Sequence, residues 1–489
     1  MAHRYLTTAI PYVNAAPHIG HALEIVAVDT IARRWRARGH RVRTLTGTDD
    51  NAFKNVEAAR AAGVPVGEFV RRNGDAFESL IPRLGARFDD FLRTGSDARH
   101  RRGVERLWRR WAASGDLYRA EYEGWYCSGC EAFLDSAGAG AGRCDEHVQP
   151  AELVRERNWF FRLSRYQDSI DRAIREHRLV IEPAARRNEA LATIARGLDD
   201  VSVSRAAERS SGWGIPVPDD PSQTIYVWID ALCNYITALD DDETIGTWWR
   251  SAEERVHVVG KGIIRFHALY WPALLLSAGL PLPTRLWVHD HLTVERAKIA
   301  KSAGNVVDPT RLVDEFGADA LRWWLVRHHP LGVDADFTVA SLVSDANTDL
   351  ANTIGNLVTR TVTLVHRLRA GRVPTGAWRS RGQPTTCLDD ALDTYDLARA
   401  AACVVDLARH ANRRLDAQRP WELARSSEPD SARRIDAALA EAIGRCRQIV
   451  DLLEPFTPEL AARCRAQLGA GPTVGAAVPA YRRLPATAS

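Results

Sequence analysis

A mainly apolar run over residues 5–10 is read as a strand; then Ile25, Val28, Ala32 and Trp35 fall three and four apart, which predicts a helix running to Gly39. Residues 41–46 are read as the next strand, and strand, helix, strand is the opening of a parallel sheet. Helices rich in Arg and Trp follow, the clearest over 98–114. Between about 116 and 226 the periodicity breaks. It returns in apolar runs at 224–235, 255–259 and 285–289, each read as a buried parallel strand or a strand entering a helix; after the second, Ile263, Phe266, His267 and Trp271 recur at helical spacing. From about 346 the pattern is helical, with amphipathic stretches at 347–370, 388–415 and 430–453 that predict a bundle. The expected divisions are 1–115 and 227–345 as two halves of one α/β domain, 116–226 as an insertion, 346–468 as helices, and 469–489, rich in Ala, Gly and Pro, as a flexible tail. No internal repeat is visible.

A chain of 489 residues has room for two to four domains, and a formal charge of +3 permits a polyanionic partner without announcing one. No signal-like start and no bilayer-length apolar run occur, which predicts a soluble cytoplasmic protein. The basic side is almost all arginine: lysine stands only at 54, 261, 298 and 301, so two of four lysines share the stretch Lys298-Ile299-Ala300-Lys301-Ser302. A compact ammonium differs from a planar guanidinium, and this placement points to a chemical demand. Cys233, Cys387, Cys403, Cys446 and Cys464 sit among apolar neighbours and read as buried small hydrophobes rather than disulfides. Cys127-x2-Cys130-x13-Cys144-x2-His147 is different, since three thiolates and an imidazole at these gaps suit one closed tetrahedral zinc. Such a metal stiffens its insertion and does no chemistry.

The stretch Ala9-Ile10-Pro11-Tyr12-Val13-Asn14-Ala15-Ala16-Pro17-His18-Ile19-Gly20-His21 delivers two imidazoles and a glycine at a strand-to-helix turn. Open α/β sheets bind nucleotides there: the helix N-terminus favours phosphate, and the histidines can donate hydrogen bonds to charge developing on it. The second strand ends in Gly47-Thr48-Asp49-Asp50, carboxylates suited to a substrate ammonium.

His18-Ile19-Gly20-His21 and Lys298-Ile299-Ala300-Lys301-Ser302 together resemble the two signatures of class I aminoacyl-tRNA synthetases, and the surrounding text is similar to the methionyl family from the first strand to about Trp421. The resemblance implies an α/β fold: a Rossmann-like parallel sheet split by a zinc-binding insertion and followed by an all-α anticodon-binding bundle. It implies activation of methionine with ATP and transfer to tRNA. His18, His21, Lys298 and Lys301 would be catalytic; Gly20, Lys298, Lys301 and Ser302 would bind ATP, with Mg2+ on its phosphates. Asp49 would hold the α-amino group, and Ile10, Tyr12, Val227, Trp228, Ala231, Tyr235, Ile263, Phe266 and His267 would line the methionine pocket. Asn356 and Arg360, four apart on one helix face, and Trp421 match positions that contact the anticodon. No appended dimerisation domain is seen, which favours a monomer.

The departures cluster. Members of the family usually carry Asp-Glu-His-Gly where this chain has Asp49-Asp50-Asn51-Ala52, Gly-Lys-Asp where it has Gly260-Lys261-Gly262, His-Gly where it has His289-Asp290, and Ser where it has Ala300; at Leu232 some carry proline. The carboxylate lost at 262 and gained at 290 reads as one charge relocated within the nucleotide site. Two other functions fit altered loops: a paralogue that adenylates an amino acid and passes it to a small-molecule amine or hydroxylamine, and an inactive tRNA-binding regulator.

Overall fold

The chain folds into two units, one built of Met1–Pro17, Gly39–Ser79 and Phe88–His289, the other of His18–Arg38, Leu80–Arg87 and Asp290–Ser489. The computed structural model describes residues 2–127, 132–133, 151–299, 304–374 and 386–485.

The first unit is organised on a six-stranded, all-parallel sheet of β1 (His3–Thr8), β2 (Arg41–Thr48), β3 (Asp90–Arg93), β4 (Val180–Glu182), β5 (Glu254–Gly260) and β6 (Arg285–His289), in the order β3-β2-β1-β5-β6-β4. Tyr5 of β1 stands between Arg43 and Arg255 in register. Leu6, Val256, Val258, Leu286 and Val288 are fully buried, as the nearly unbroken apolar runs require. Strand order reverses between β1 and β5, which opens a crevice at their carboxyl ends. Gly47, near the end of β2, has no room for a side chain: a Cβ there would meet the Leu92 carbonyl of β3 at 2.0 Å.

Two strands were not legible from periodicity. β3 and β4 have four and three residues, too short to show a period, and β4 arises inside the stretch read as an insertion. The apolar run at 224–235 is a correction. Its strand, Asp220–Ile225, pairs antiparallel with Pro216–Val217 and Ser204–Ala206 in a separate three-stranded sheet, and the helix begins at Val227. Burial gave the run its parallel-strand look: Trp249, Trp271, Tyr235 and Phe161 all belong to the same core. A four-stranded antiparallel sheet is dominated by Leu117–Cys127 against Glu152–Phe161, in register from Leu117 opposite Phe161 to Gly124 opposite Val154.

The chain between β1 and β2 is helix α1 (Ile19–Ala37), which belongs to the second unit. Further helices are α2 (Ala98–Ala113) and α3 (Val227–Leu232) in the first unit, and α4 (Ala318–Arg327), α5 (Asn356–Arg369), α6 (Thr386–Asp393), α7 (Leu397–Gln418), α8 (Ser431–Leu453) and α9 (Pro458–Leu468) in the second. The predicted face of α1 is buried, but so are Leu23, Val26, Ala27 and Ile31, so the helix is apolar nearly all round. Arg34 and Arg36 in its last turn complement the helix dipole. At its centre Asp29 meets Arg322 of α4 at 2.8 Å, both wholly buried; the guanidinium also donates to the carbonyls of Phe456 and Pro455.

The helix expected over 388–415 is two helices, α6 and α7, broken at Tyr395, whose φ of 61° lies in the left-handed region. Two of the cysteines read as unpaired are joined here: Cys387 of α6 and Cys403 of α7 form a disulfide across 16 residues. Pairing depends on how two helices fold back on one another, which spacing does not encode. Cys233, Cys446 and Cys464 are buried as expected. The stretch expected to be a loose tail is packed as far as it is described. Thr473 bridges to Arg372, Gly475 donates to the Gln467 carbonyl at 2.7 Å, and Ala480 is buried. Among the described residues no helix is long and apolar enough to cross a membrane.

Candidate functional site

In the first unit every expected pocket residue follows the carboxyl end of β1, β2 or β5, or lies on α3 and the short helix after it. Tyr12 and Asp49 form a parallel bridge beyond the ends of β1 and β2, and the Asp49 N–H donates to the Pro11 carbonyl at 2.8 Å. Asp49 is 2% exposed, and its carboxylate accepts the Asn51 N–H at 3.1 Å. Asp50 beside it is buried too; burial raises its carboxyl to about 6 against the opposing bonds from Thr48 and Gly95. The Lys54 ammonium lies 5.6 Å from the centre of the Tyr12 ring.

Across from these residues the aromatic groups are arranged as a wall. Trp228 and Phe266 stack with centroids 3.8 Å apart and planes 3° from parallel, a contact worth roughly 0.5–1.5 kcal/mol beyond area burial. Tyr12 tilts against Trp228 at 6.2 Å. His267 Nδ1 faces the Ile263 carbonyl at 3.0 Å, which only a ring N–H satisfies, so Nε2 accepts from the Tyr235 hydroxyl at 2.8 Å. Burial pushes the His267 imidazole down to about 4, keeping it in this neutral form. Below it His257 Nε2 accepts the Trp271 indole N–H at 3.2 Å, and Nδ1 bonds Thr7 at 2.8 Å. Aromatic, polarizable side chains near a buried carboxylate are the kind of lining an unbranched thioether amino acid would suit.

In the second unit α1 begins with a capping box made of two histidines. The Gly20 N–H donates to His18 Nδ1 at 3.1 Å and the His18 N–H donates to His21 Nδ1 at 3.0 Å; the rings stack 3.8 Å apart. With both Nδ1 atoms accepting, the proton of each neutral ring sits on Nε2. Burial lowers His18 to about 4 and, with His18 as neighbour, drives His21 well below its usual range. The turn therefore offers neutral donors. A Cβ at Gly20 would meet His18 Cε1 at 2.9 Å, so a side chain there would displace the capping ring.

Lys298 lies in the strand Ala297–Lys298, paired antiparallel with Leu292–Val294 through a turn in which Glu295 and Arg296 both have positive φ. Positive φ at both central residues twists the hairpin as flanking strands prefer. Asp336 holds it, accepting from Thr293 Oγ1 at 2.7 Å and the Arg296 N–H at 2.8 Å. Asn305 closes the loop's base by donating to the Lys298 carbonyl at 3.2 Å, and the Ile19 N–H of α1 donates to the Val307 carbonyl at 3.0 Å. The histidine turn and the strand carrying Lys298 thus lie in one unit, and the segment returning from the lysine loop is bonded to the helix start. Ala300, Lys301 and Ser302 lie outside the described residues.

Asp290, expected to carry a relocated charge, is bonded to the loop that follows it. It is 1% exposed, its N–H donates to the Pro330 carbonyl, and its carboxylate accepts the Gly332 N–H at 2.6 Å, so it pins the next loop. Of the expected zinc ligands, Cys127 is buried at the end of its strand; Cys130, Cys144 and His147 lie outside the described residues, among which no cluster of three such side chains occurs. The expected RNA contacts come together on the helices: Arg360 of α5 lies over Trp421 at 4.8 Å and donates to Asp416 at 2.6 Å, and exposed Asn356 is one turn earlier on α5.

Sequence reasoning missed His100 and Asp230. His100 Nε2 bonds Asp230 at 2.5 Å and Nδ1 bonds Thr237 at 2.7 Å, both deep in the first unit. A lone histidine on an amphipathic helix carries no signal of such a partner.

A family model described as tRNA synthetases class I (M) matches residues 4–362. The methionine--tRNA ligase of Mycobacterium bovis is 39% identical over 486 residues, covering 96% of this chain and 92% of its own length; that of Thermosynechococcus vestitus is also 39% identical, at 96% and 90%. The solved Mycobacterium tuberculosis methionyl-tRNA synthetase in complex with methionyl-adenylate superposes with a TM-score of 0.89 at 37% identity, covering 96% of this chain and 95% of that one. Similarity of this length spans both units, and the chain belongs to the class I tRNA synthetases of the methionine branch.

Proposed function

We propose that this chain catalyses the methionine--tRNA ligase reaction: methionine and ATP give methionyl-adenylate and pyrophosphate, and the methionyl group then passes to a ribose hydroxyl of tRNA. In the first step a methionine carboxylate oxygen forms a bond to the α-phosphorus, and the bond from that phosphorus to the bridging oxygen breaks. Charge grows on the phosphoryl oxygens. The neutral His18 and His21 rings, each with its proton on Nε2, are donors suited to that charge, and Lys298 and Lys301 add positive charge to the triphosphate. Gly20 and Ser302 complete the nucleotide contacts, and magnesium would neutralise the phosphates. Asp49 would bind the ammonium, with Ile10, Tyr12, Val227, Trp228, Ala231, Tyr235, Ile263, Phe266 and His267 around the thioether. Placement and charge stabilisation supply most of such a barrier reduction.

The observation that carries the reading is the paired-histidine cap of α1, held through Ile19 to the segment returning from the lysine loop. Residues 346–468 would form the anticodon-binding domain, read by Asn356, Arg360 and Trp421. Cys127, Cys130, Cys144 and His147 would hold one structural zinc in the insertion, and the working form would be a cytoplasmic monomer. The test is methionine-dependent exchange of labelled pyrophosphate into ATP, followed by charging of tRNA. Exchange and charging are both expected. Exchange without charging overturns tRNA as acceptor, and no exchange with any amino acid overturns the enzyme.

A further inference from the structure

The residue bonded to the ammonium-binding carboxylate is one of the departures from the family pattern, and its side chain reaches deep into the first unit. The Asn51 N–H holds Asp49 Oδ1 at 3.1 Å. The Asn51 side-chain amide donates to Asp230 Oδ2 at 2.7 Å, the other Asp230 oxygen bonds His100 Nε2 at 2.5 Å, and His100 Nδ1 bonds Thr237 at 2.7 Å. Asp230 and His100 are 1% and 0% exposed. Buried polar chains of this kind are costly unless every member is satisfied, and satisfied they fix a single geometry. Asp230 also stands on α3, the helix that brings Val227, Trp228 and Ala231 to the methionine pocket. The same oxygens therefore tie the amino-group end of the site to its aromatic wall.

We propose that Asn51, Asp230 and His100 act as positioning residues, a relay that aims Asp49 at the substrate ammonium and sets its distance from the Trp228 wall. The inference rests on the methionine-activating reading above. Asn51 supplies a carboxamide donor where the family pattern carries histidine, and His100 supplies the far anchor. None of the three touches substrate; each works through Asp49 or α3.

The test separates aim from mere stability. Asn51→Ala frees the Asp49–Asn51 turn from Asp230, and the methionine KM in pyrophosphate exchange is expected to rise about tenfold, the value of one charge-assisted hydrogen bond. The ATP KM stays within about twofold, an order-of-magnitude margin for ordinary variation between preparations. 4-(Methylthio)butanoate, which has the thioether and carboxylate but no ammonium, is expected to inhibit wild type and variant equally. Asn51→His, which restores an N–H donor, is expected to recover the methionine KM. If Asn51→Ala does not fold, Asn51→Leu takes its place, filling the volume without the donor. Equal weakening of methionine and the des-amino inhibitor, or no change in either, overturns the relay. A wild type that exchanges with methionine while Asn51→Ala matches it overturns the relay alone; a wild type without methionine-dependent exchange overturns the underlying reading as well.

Discussion

In His18 the capping atom is not the one the proposed chemistry would use. Nδ1 caps α1 through the Gly20 N–H, which leaves the Nε2 proton for a ligand. His18→Ala is therefore expected to lower stability by about 1 kcal/mol, the usual cost of a lost cap, and to lower the exchange rate by about 10²–10³. His18→Ser, which restores a capping oxygen but reaches no phosphate, should recover the melting temperature and leave the rate low. Thermal melts beside exchange kinetics decide the matter: a fully active His18→Ser would reduce the histidine to a cap. At this scale the motif was legible because its residue types are rare together at such a turn. The Nδ1 and Nε2 assignments were not, since they follow from which backbone groups face each ring.

At the scale of elements, α1 is held by a charge pair with no access to water. Asp29 accepts from Arg322, from Arg33 at 2.8 Å and from the Arg87 N–H at 3.0 Å. Removing the carboxylate strands a fully buried guanidinium, so Asp29→Ala is expected to cost about 3–5 kcal/mol in denaturant unfolding, whereas Arg322→Met, which removes the buried cation, should cost less. Equal costs would place the stability in packing instead. Periodicity placed α1, β1, β2, β5 and β6 within a few residues because each is long or nearly continuous in its pattern. It failed at β3 and β4, which are too short, at 224–235, where burial mimicked a parallel strand, and at Tyr395, where a left-handed residue breaks a helical run.

For the whole molecule, the two chemistries should be separable. Arg360 and Trp421 lie on the helices at 4.8 Å, and a base stacked on an aromatic ring is worth roughly 1–3 kcal/mol. Trp421→Ala should lower tRNA charging efficiency by about tenfold or more while leaving pyrophosphate exchange unchanged. Equal loss in both assays would make Trp421 structural. Stability should also depend on pH in one direction. His18, His21, His257 and His267 are held neutral by burial, His18 and His267 at about 4, so their contribution is present above the unfolded histidine range and lost as pH falls toward about 4. Asp50 and Asp319, raised to about 6 by burial, act oppositely: their contribution is present at low pH and lost as pH rises through about 6. Four groups outweigh two, and the melting temperature is expected to fall between about pH 7 and about pH 5. A flat or rising profile on acidification would contradict the buried neutral histidines.

By itself the sequence determined the class of fold and the chemical vocabulary: the two signatures, the carboxylates after β2 and the helical pattern from about 346 onward. Those are local properties, carried by residue type and spacing along a short stretch. Tertiary structure alone decided that Asp290 pins a loop, that Cys387 finds Cys403, and that Asn51 leans on Asp230 and His100, residues 179 and 49 positions away from it and bonded in one buried chain. Hydrogen-bond partners that distant are chosen by how helices and strands pack, and no period in the chain records that choice.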